Sequence, residues 1–149
     1  MKIRNANFTD SKDILSWRNN ITTRMMSRNE GFINKAEHNN WFKSALSNEN
    51  CFLYIGIKNN IKIGIVRFDY NFNTKVSDVA INLNPKIRGQ GMSFDFLRLS
   101  IQKTSYLNIL SFIASIKESN NLSKKIFKKC GFKYKYNDSG FDFFIFSNK

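Results

Sequence analysis

The segment Asn84–Ser93 holds the residues of this chain that are best suited to bind an anion. Two glycines, Gly89 and Gly91, separate an alternating apolar stretch from a helix-like stretch, and Lys86 and Arg88 lie beside them. Glycine lets the main chain approach a ligand closely, and the N–H groups and dipole at a helix N-terminus favour a pyrophosphate. Neither GxxxxGK[ST] nor GxGxxG is present, which excludes the P-loop and Rossmann loops. The segment therefore predicts a cradle for a phosphorylated ligand at the start of a helix.

The loop resembles the acyl-CoA-binding loop of the GCN5-related N-acetyltransferase (GNAT) family. That loop has Gln or Arg, two residues of any type, Gly, one further residue, and then Gly or Ala. Arg88, Gly91 and Ser93 stand at these places, and the serine is a mild departure. The resemblance implies that acetyl-CoA binds here, with its diphosphate against the main chain of the loop. The residues implied are Arg88, Gly89, Gln90, Gly91, Met92 and Ser93.

A later segment resembles the second motif of the family, in which Asn, two residues and Ala or Ser precede an aromatic residue and then Gly-Phe. The matching residues are Asn120, Ser123, Phe127 and Gly131-Phe132. In the family, the strand before the loop parts from the following parallel strand, and the pantetheine arm of the cofactor lies in that gap. The contacts implied at the gap are Ile81, Asn82 and Leu83 on one side, and Asn120 and Ser123 on the other.

Transfer of an acetyl group from a thioester to an amine requires an unprotonated amine and a stabilised leaving thiolate. In the family, the thiolate is commonly protonated by a tyrosine at the position of Phe127, and phenylalanine has no proton to donate. Tyr134 and Tyr136 are conceivable substitutes, and water or proximity alone are the alternatives. The carboxylates best placed to act as the base are Asp78, on the strand before the loop, and Glu118. Either of the two also has a simpler interpretation as a surface carboxylate.

The first half of the chain resembles the branch of the family found in bacterial surface-sugar pathways. The segments that carry this resemblance are Trp17-Arg18-Asn19, Arg24 with Met26-Ser27, Ile33, His38 with Trp41-Phe42, and Ile63–Asp69. The resemblance implies that the acceptor is the 4-amino group of a UDP-linked 4-amino-4,6-dideoxy sugar, on the route to pseudaminic acid or similar nonulosonic acids. The substrate contacts implied are Arg18, Arg24 and Arg67 for the diphosphate, Trp41 or Trp17 for stacking, His38 for the sugar or a proton relay, and Asp69 as the partner of Arg67.

Two other functions remain open from the sequence. The first is an N-acetyltransferase for a protein N-terminus or a small polyamine, because ribosomal-protein acetyltransferases share the Trp-Arg-Asn-like start. The second is a non-catalytic module that uses its positive field to hold RNA or an acidic partner, as Phe127 and Ser93 depart from the family pattern. The presence of Arg88, Gly91 and Asn120 argues against the second, because these residues are expected to retain CoA binding.

The composition indicates a globular protein, and its charge discriminates poorly between functions. The chain of 149 residues has a formal net charge of +13, but its basic residues are spread along the sequence, so neither nucleic acid nor membrane is expected as a partner. No apolar run approaches the ~20 residues of a membrane span, and the N-terminus lacks the apolar region of a signal peptide, so a cytoplasmic location is expected. Two cysteines and one histidine predict neither a metal site nor a disulfide. A homodimer is left open.

The pattern of apolar residues predicts one domain over residues 1–149, of the α/β (α+β) class with the GNAT fold. We expect a mixed, mostly antiparallel sheet of about six to seven strands, splayed at the acetyl-CoA site and flanked by about four helices. Predicted strands span residues 2–8, 51–58, 61–70, 76–83, 109–116, 132–136 and 141–147. Predicted helices begin at Thr9 or Asp10, near Met25, at Asn34, after the loop, and at Asn121. On the last two helices, the expected inward residues are Phe94, Leu97, Ile101, Leu122 and Ile126.

Overall fold

The computed structural model of the chain describes residues 1–148, which form seven strands, five α-helices and three short 3-10 turns. The strands are β1 (Lys2–Asn5), β2 (Cys51–Lys58), β3 (Ile61–Asn71), β4 (Val76–Leu83), β5 (Ser111–Lys117), β6 (Lys133–Asp138) and β7 (Phe141–Ser147). The helices are α1 (Ser11–Asn19), α2 (Ile21–Met25), α3 (Lys35–Ser47), α4 (Ser93–Lys103) and α5 (Asn121–Lys129). The 3-10 turns are Phe8–Asp10, Pro85–Ile87 and Ser105–Leu107.

One mixed sheet runs through the molecule in the order β1-β2-β3-β4-β5-β7-β6. All neighbouring strands are antiparallel except β4 and β5, which are parallel. These two strands pair only from Val76–Ser111 to Asp78–Ile113. Beyond that point β4 and β5 continue without pairing to each other. The predicted sheet, with its gap between two parallel strands, is therefore confirmed.

Helices cover both faces of the sheet, and each face has its own buried cluster. The larger cluster lies under α4 and α5, and includes the fully buried Phe68, Phe96, Phe112, Phe127 and Phe144. On the opposite face, apolar side chains of α1 and α3 pack onto those of β2 and β3. The part of this second face that belongs to β4 and β5 carries exposed side chains instead. The sheet thus has an open surface beside the point where β4 and β5 part.

The chain enters the first helix differently from the prediction. The side chain of Asn7 accepts a hydrogen bond from the Thr9 N–H, and the Asp10 carboxylate accepts one from the Asn7 N–H, each at 2.9 Å. Asp10, one of the two predicted cap residues, stands at the N-cap position of α1, but its side chain makes no capping hydrogen bond to that helix. The fully buried Asp10 carboxylate instead lies 2.8 Å from Arg4 and 2.9 Å from Lys62. Asparagine and aspartate are equally good caps, so the sequence does not distinguish between them.

The burial of α4 and α5 agrees with the prediction only in part. On α4 Leu97 is buried and Ile101 packs against the core as expected, but the other buried residues are Phe96 and Ser100, and Phe94 is not among them. Phe96 packs against Gly56 of β2, where an added Cβ would come within 2.6 Å of its ring. On α5 the side chain of Leu122 is 77% exposed, so its expected inward position is wrong. The neighbours that a helix meets decide which of its apolar residues are covered.

Most element boundaries agree with the prediction, and β2, β4 and α5 have the predicted limits. The first strand ends at Asn5 and the fifth begins at Ser111, so both are shorter than predicted at one end. Asn59 and Asn60, with φ of 52° and 62°, form the hairpin turn between β2 and β3. Among residues 1–148, no helix is long and apolar enough to cross a membrane.

Candidate active site

The loop from Arg88 to Ser93 joins β4 to the N-terminus of α4. Gly89 and Gly91 have φ of 76° and 75°, in the left-handed region that glycine adopts without strain. An added Cβ at either glycine would have no atom within 4 Å, so backbone conformation, and not crowding by the protein, requires glycine here. Within residues 1–148, the N–H groups from Gly89 to Ser93 donate no hydrogen bond to another residue. They form a row of available donors at a helix N-terminus, as an anion requires.

The Arg88 side chain is bound by other parts of the protein. Its Nη1 donates to the side-chain oxygen of Asn20 at 3.0 Å, and its Nη2 donates to the hydroxyl of Thr23. Burial lowers the pKa of the Arg88 guanidinium from its ordinary value. Arg88 therefore contacts the junction of α1 and α2, although the resemblance implies a contact with the cofactor.

The gap between β4 and β5 begins directly beside the loop. Ile81, Asn82 and Leu83, all half-buried, lie on the part of β4 that has no pairing with β5. Across the gap, α5 begins after β5, and the side chain of Asn120 caps it by accepting from the Ser123 N–H at 3.2 Å. The residues that the two motifs place at the cofactor thus lie on elements at the two sides of one gap.

Two carboxylates face each other at the closed end of the gap. Asp78 belongs to the last paired position of β4 and β5, and it lies directly opposite Asp69 on β3. The predicted pairing of Asp69 with Arg67 is present, at 2.8 Å between Nε and Oδ2. Partial desolvation by the surrounding groups, followed by the negative charge of Asp69, raises the pKa of the Asp78 carboxyl, while Arg67 opposes the shift. Asp78 is exposed on the open face of the sheet, where a ligand can reach it.

The second candidate base lies at the other end of the gap. Glu118 follows the last residue of β5 and accepts a hydrogen bond from the side chain of Asn137 at 3.0 Å. Ile113, the residue paired with Asp78, is five positions earlier on β5, which corresponds to about 16 Å along a strand. A thioester in the gap therefore cannot be adjacent to both carboxylates.

The candidates for protonating the thiolate do not lie in the gap. Phe127 is 1% exposed and packs edge-on against Phe132, with 5.0 Å between the ring centres. Tyr134 and Tyr136 are exposed on β6, which is separated from β4 by β5 and β7. Three strand spacings correspond to about 14 Å. Neither tyrosine is placed to replace the family's usual acid.

The predicted substrate contacts of the first half of the chain divide into two groups. Trp41 is 37% exposed, and its ring lies 5.4 Å from the Arg67 guanidinium, close to the carboxylate pair. Arg18 and Arg24 instead donate to the main-chain oxygens of Asn29 and Glu30, at 2.7 and 3.0 Å.

His38 belongs to the second group, because it lies inside the protein. It is 3% exposed and stacks on Phe42, with 5.6 Å between the ring centres. Burial lowers the pKa of the His38 imidazole, and a hydrogen bond with the Ser11 main chain opposes the shift. Its geometry favours a packing role in the contact between α1 and α3.

A set of contacts that the sequence did not reveal fastens the segment after α2 to β5. The Lys117 ammonium group lies 2.7 Å from the Glu30 carboxylate and donates to the main-chain oxygen of Met25 at 2.8 Å. Arg28 donates to the Ser115 hydroxyl, and its guanidinium lies 3.9 Å from the ring centre of Phe141. In each of the hydrogen bonds to β5, the two residues are 87 or more positions apart in the sequence. No local sequence pattern could therefore have indicated these contacts.

The thiols of the two cysteines are not reactive groups of this site. Burial raises the pKa of Cys51 and of Cys130 to about 11 in each case, which keeps both protonated near neutral pH. No group of three or more potential metal ligands occurs in the described part of the chain.

Comparison with known proteins identifies the family. Residues 1–133 match the acetyltransferase (GNAT) domain family, and the chain belongs to this family. No curated protein matches the chain. The family makes the protein an acetyl-CoA-dependent N-acetyltransferase, with acetyl-CoA as its cosubstrate.

Solved structures share the fold along nearly the whole chain. Spermidine N-acetyltransferase from Vibrio cholerae, in complex with CoA and spermine, has a TM-score of 0.85 at 15% identity and covers 97% of this chain and 92% of its own. A domain from Methanocaldococcus jannaschii has a TM-score of 0.83 at 21% identity, covering 99% and 97%. The N-acetyltransferase PseH from Campylobacter jejuni, in complex with acetyl coenzyme A, has a TM-score of 0.76 at 16% identity, covering 99% of both chains. At these identities the likeness concerns the fold alone.

Proposed function

We propose that acetyl-CoA binds along β4, with its diphosphate on the N–H groups of Gly89 to Ser93 and its pantetheine arm in the gap between β4 and β5. One observation carries this proposal: the available donors of the loop and the unpaired edges of two parallel strands lie at the same end of the sheet. Strand edges offer N–H and C=O groups that an amide-containing arm can pair with. Ile81, Asn82 and Leu83 would flank the arm on one side, and Asn120 and Ser123 on the other. Arg88 would contribute its main chain.

The same placement brings the thioester to the closed end of the gap. An arm that starts at Leu83 and follows β4 back to Val79 covers about 13 Å. Its acetyl group then reaches Ala80, which is exposed on the same face as Asp78. We therefore place the acceptor amine on this open face, beside Asp78, while Glu118 remains outside the reaction.

In the proposed reaction, Asp78 takes a proton from the acceptor nitrogen, directly or through one water. The nitrogen attacks the thioester carbonyl carbon, a C–N bond forms, and the C–S bond breaks. Its raised pKa makes Asp78 a better proton acceptor than an ordinary aspartate. Solvent supplies the proton to the departing thiolate, because Phe127 is buried and has none to give. Holding amine and thioester together is then the main source of rate enhancement.

For the acceptor, the proposal is the 4-amino group of a UDP-linked 4-amino-4,6-dideoxy sugar. The resemblance of the first half of the chain to sugar-nucleotide acetyltransferases supports it, as does the exposed Trp41 ring over Arg67, which offers a flat surface to a base or sugar. Residues 1–149 would act as one domain, which the continuous seven-stranded sheet supports.

A polyamine is the second candidate acceptor, and a specific observation favours it. Asp69 and Asp78 lie opposite each other, and Arg67 pairs with Asp69. Two carboxylates with one arginine leave a net negative charge, which would attract a cationic amine. The fold of spermidine N-acetyltransferase is also close to this one. A sugar nucleotide would need its diphosphate to lie away from this carboxylate pair.

Thiol release from acetyl-CoA distinguishes the acceptors. The purified protein is offered UDP-4-amino sugars, spermidine and spermine, and peptides with free N-termini, each over a range of concentrations. The expected result is a kcat/KM for a UDP-4-amino sugar at least about 100-fold above the other classes. The matching 4-hydroxy sugar is the control and should release no thiol above background. A preference for spermidine would replace the sugar proposal with the polyamine.

A further inference from the structure

The Arg88 guanidinium is bound by protein groups at the edge of the loop. Both terminal nitrogens of its guanidinium are engaged by the junction of α1 and α2, with Asn20 Oδ1 at 3.0 Å and the Thr23 hydroxyl as partners. The side chain is half-buried, while Gly89 and Gly91 beside it are exposed. The guanidinium is therefore occupied by protein partners, while the main chain beside it is open to solvent.

The hydrogen bonds continue from Arg88 to the wall of the gap. The Thr23 hydroxyl accepts from Arg88 and lies 3.5 Å from Asn82 Oδ1, a polar contact longer than an ordinary hydrogen bond between oxygens. Asn82 lies on β4, on the same face as Asp78, because alternate residues of a strand share a face. Thr23 thus touches both the start of the cofactor loop and the strand that lines the gap.

The segment that Thr23 belongs to is attached to both sides of the gap. We name residues 20–30 the strap. At its beginning, Asn20 and Thr23 bind Arg88, and at its end Glu30 pairs with Lys117 of β5 at 2.7 Å. Arg28 adds its bond to Ser115, which is exposed on the open face. The strap therefore crosses from the β4 side to the β5 side next to the face where the acceptor is placed.

We propose that Arg88 is a positioning residue that ties the cofactor loop to the strap, and that it sets the acceptor side of the site without touching the diphosphate. The proposal rests on the placement of acetyl-CoA given above. The hydrogen bonds of Arg88 hold the strap at a fixed distance from the loop, so a change at Arg88 alters the space available to the acceptor. Affinity for the cofactor, which depends on main-chain N–H groups, stays nearly the same.

Thr23 provides a test that leaves the loop intact. The variants are Thr23→Val, which removes the hydroxyl, Thr23→Ser, which keeps it, Arg88→Gln, and the double variant Thr23→Val with Arg88→Gln. Three quantities are measured: acetyl-CoA affinity by calorimetry, amide hydrogen exchange of residues 20–34, and the KM for the best amine and for acetyl-CoA. Circular dichroism confirms that each variant is folded.

The expected result has two parts. Thr23→Val and Arg88→Gln each raise the KM for the amine about tenfold and speed exchange in the strap, as loss of a hydrogen bond to a charged group predicts. The affinity for acetyl-CoA and the KM for acetyl-CoA change by less than about threefold, because the cofactor is bound by main-chain groups that both substitutions leave in place. The double variant is no worse than the worse single variant, because both break one interaction. Thr23→Ser behaves as the unchanged protein does.

Two outcomes would overturn the proposal. A loss of acetyl-CoA affinity of about tenfold or more in Arg88→Gln, with none in Thr23→Val, would make Arg88 a diphosphate ligand. Unchanged exchange in the strap, or effects of the two variants that simply add, would show that they do not act together. If the unchanged protein acetylates none of the amines offered, the acceptor proposal fails, but calorimetry and hydrogen exchange still decide the role of Arg88.

Discussion

The proposed cofactor loop and the proposed acceptor side of this acetyltransferase are built in different ways. The loop is six consecutive residues, Arg88 to Ser93, and its available groups are main-chain N–H donors. The acceptor side combines side chains of α3, β3 and β4 with the strap, and its members come from positions as far apart as Arg28 and Ser115. A site made of consecutive main chain survives most side-chain changes. A site assembled from distant side chains can change its ligand by single substitutions, as expected where relatives share a cofactor and differ in the amine.

Substitution of the proposed base should have the largest effect on activity. The effect should concern the reaction of the amine and not the binding of acetyl-CoA. Asp78→Asn is expected to lower kcat by about 10²–10⁴, the usual contribution of general base catalysis, without weakening acetyl-CoA binding. The pH profile gives the signature. A base must be ionised, so activity of the unchanged protein rises with pH through the raised pKa of Asp78, and the variant should lose that limb. Stopped-time thiol release from pH 4 to 9 measures it.

Glu118→Gln is the matched control for that experiment. It removes the other candidate carboxylate, which lies beyond the far end of β5, so its kcat and pH profile should match those of the unchanged protein. The reverse pattern, a lost limb in Glu118→Gln and a normal one in Asp78→Asn, would move the reacting amine to the opposite end of the gap.

A change in the loop should have a somewhat smaller effect, and the affected quantity should be the affinity for acetyl-CoA. Gly91→Val places a β-branched residue at a φ of 75°. The resulting backbone strain is about 1–3 kcal/mol, and the loop must rearrange to release it. We therefore expect the affinity for acetyl-CoA to fall by about 5- to 150-fold. Calorimetric titration with acetyl-CoA measures this loss.

Gly140→Val is the control for strain itself. Gly140 has a φ of 85° in the hairpin between β6 and β7, and an added Cβ there would also meet no atom within 4 Å. The thermal stability of Gly140→Val should fall as much as that of Gly91→Val, but Gly140→Val should still bind acetyl-CoA. Normal binding by Gly91→Val would refute the placement of the diphosphate.

The smallest expected effect is a shift of the pH profile caused by Asp69. Its negative charge contributes to the raised pKa of Asp78, so Asp69→Asn should lower that pKa. The acid limb of the activity profile should then move to lower pH, by up to about one unit. Asp95→Asn, which alters the exposed pair with Arg98 on α4, should leave the limb in place. A shift to higher pH would mean that Asp69 acts on the site mainly by orienting Arg67.

Local sequence patterns were sufficient for much of the fold and for the loop. The asparagines of the first hairpin turn, the Asn34 cap of α3 and the limits of α5 all follow from interactions within a few residues. The same holds for the left-handed glycines of the loop, because φ is a local property that residue type controls. Apolar periodicity also indicated the strands, but it did not indicate which helix residues the sheet would cover, as Leu122 shows.

The roles of individual side chains could not be predicted in the same way. Arg88 fits the family loop, yet tertiary structure turns it to Asn20 and Thr23. His38 occurs in a segment that resembles a substrate site, yet the packing of α3 on α1 buries it. In each case the deciding partner is distant in sequence or belongs to another element.

By itself, the amino-acid sequence determined the order of the elements, the glycine-containing loop before α4 and the family, since each depends on backbone preferences and apolar spacing over short distances. Only the tertiary structure decided at which residue the expected gap opens, namely after Asp78, that Asp69 lies opposite this carboxylate, and that a strap crosses beside them. These features depend on strand register and on ion pairs between distant segments, and their energies arise only when the chain has folded.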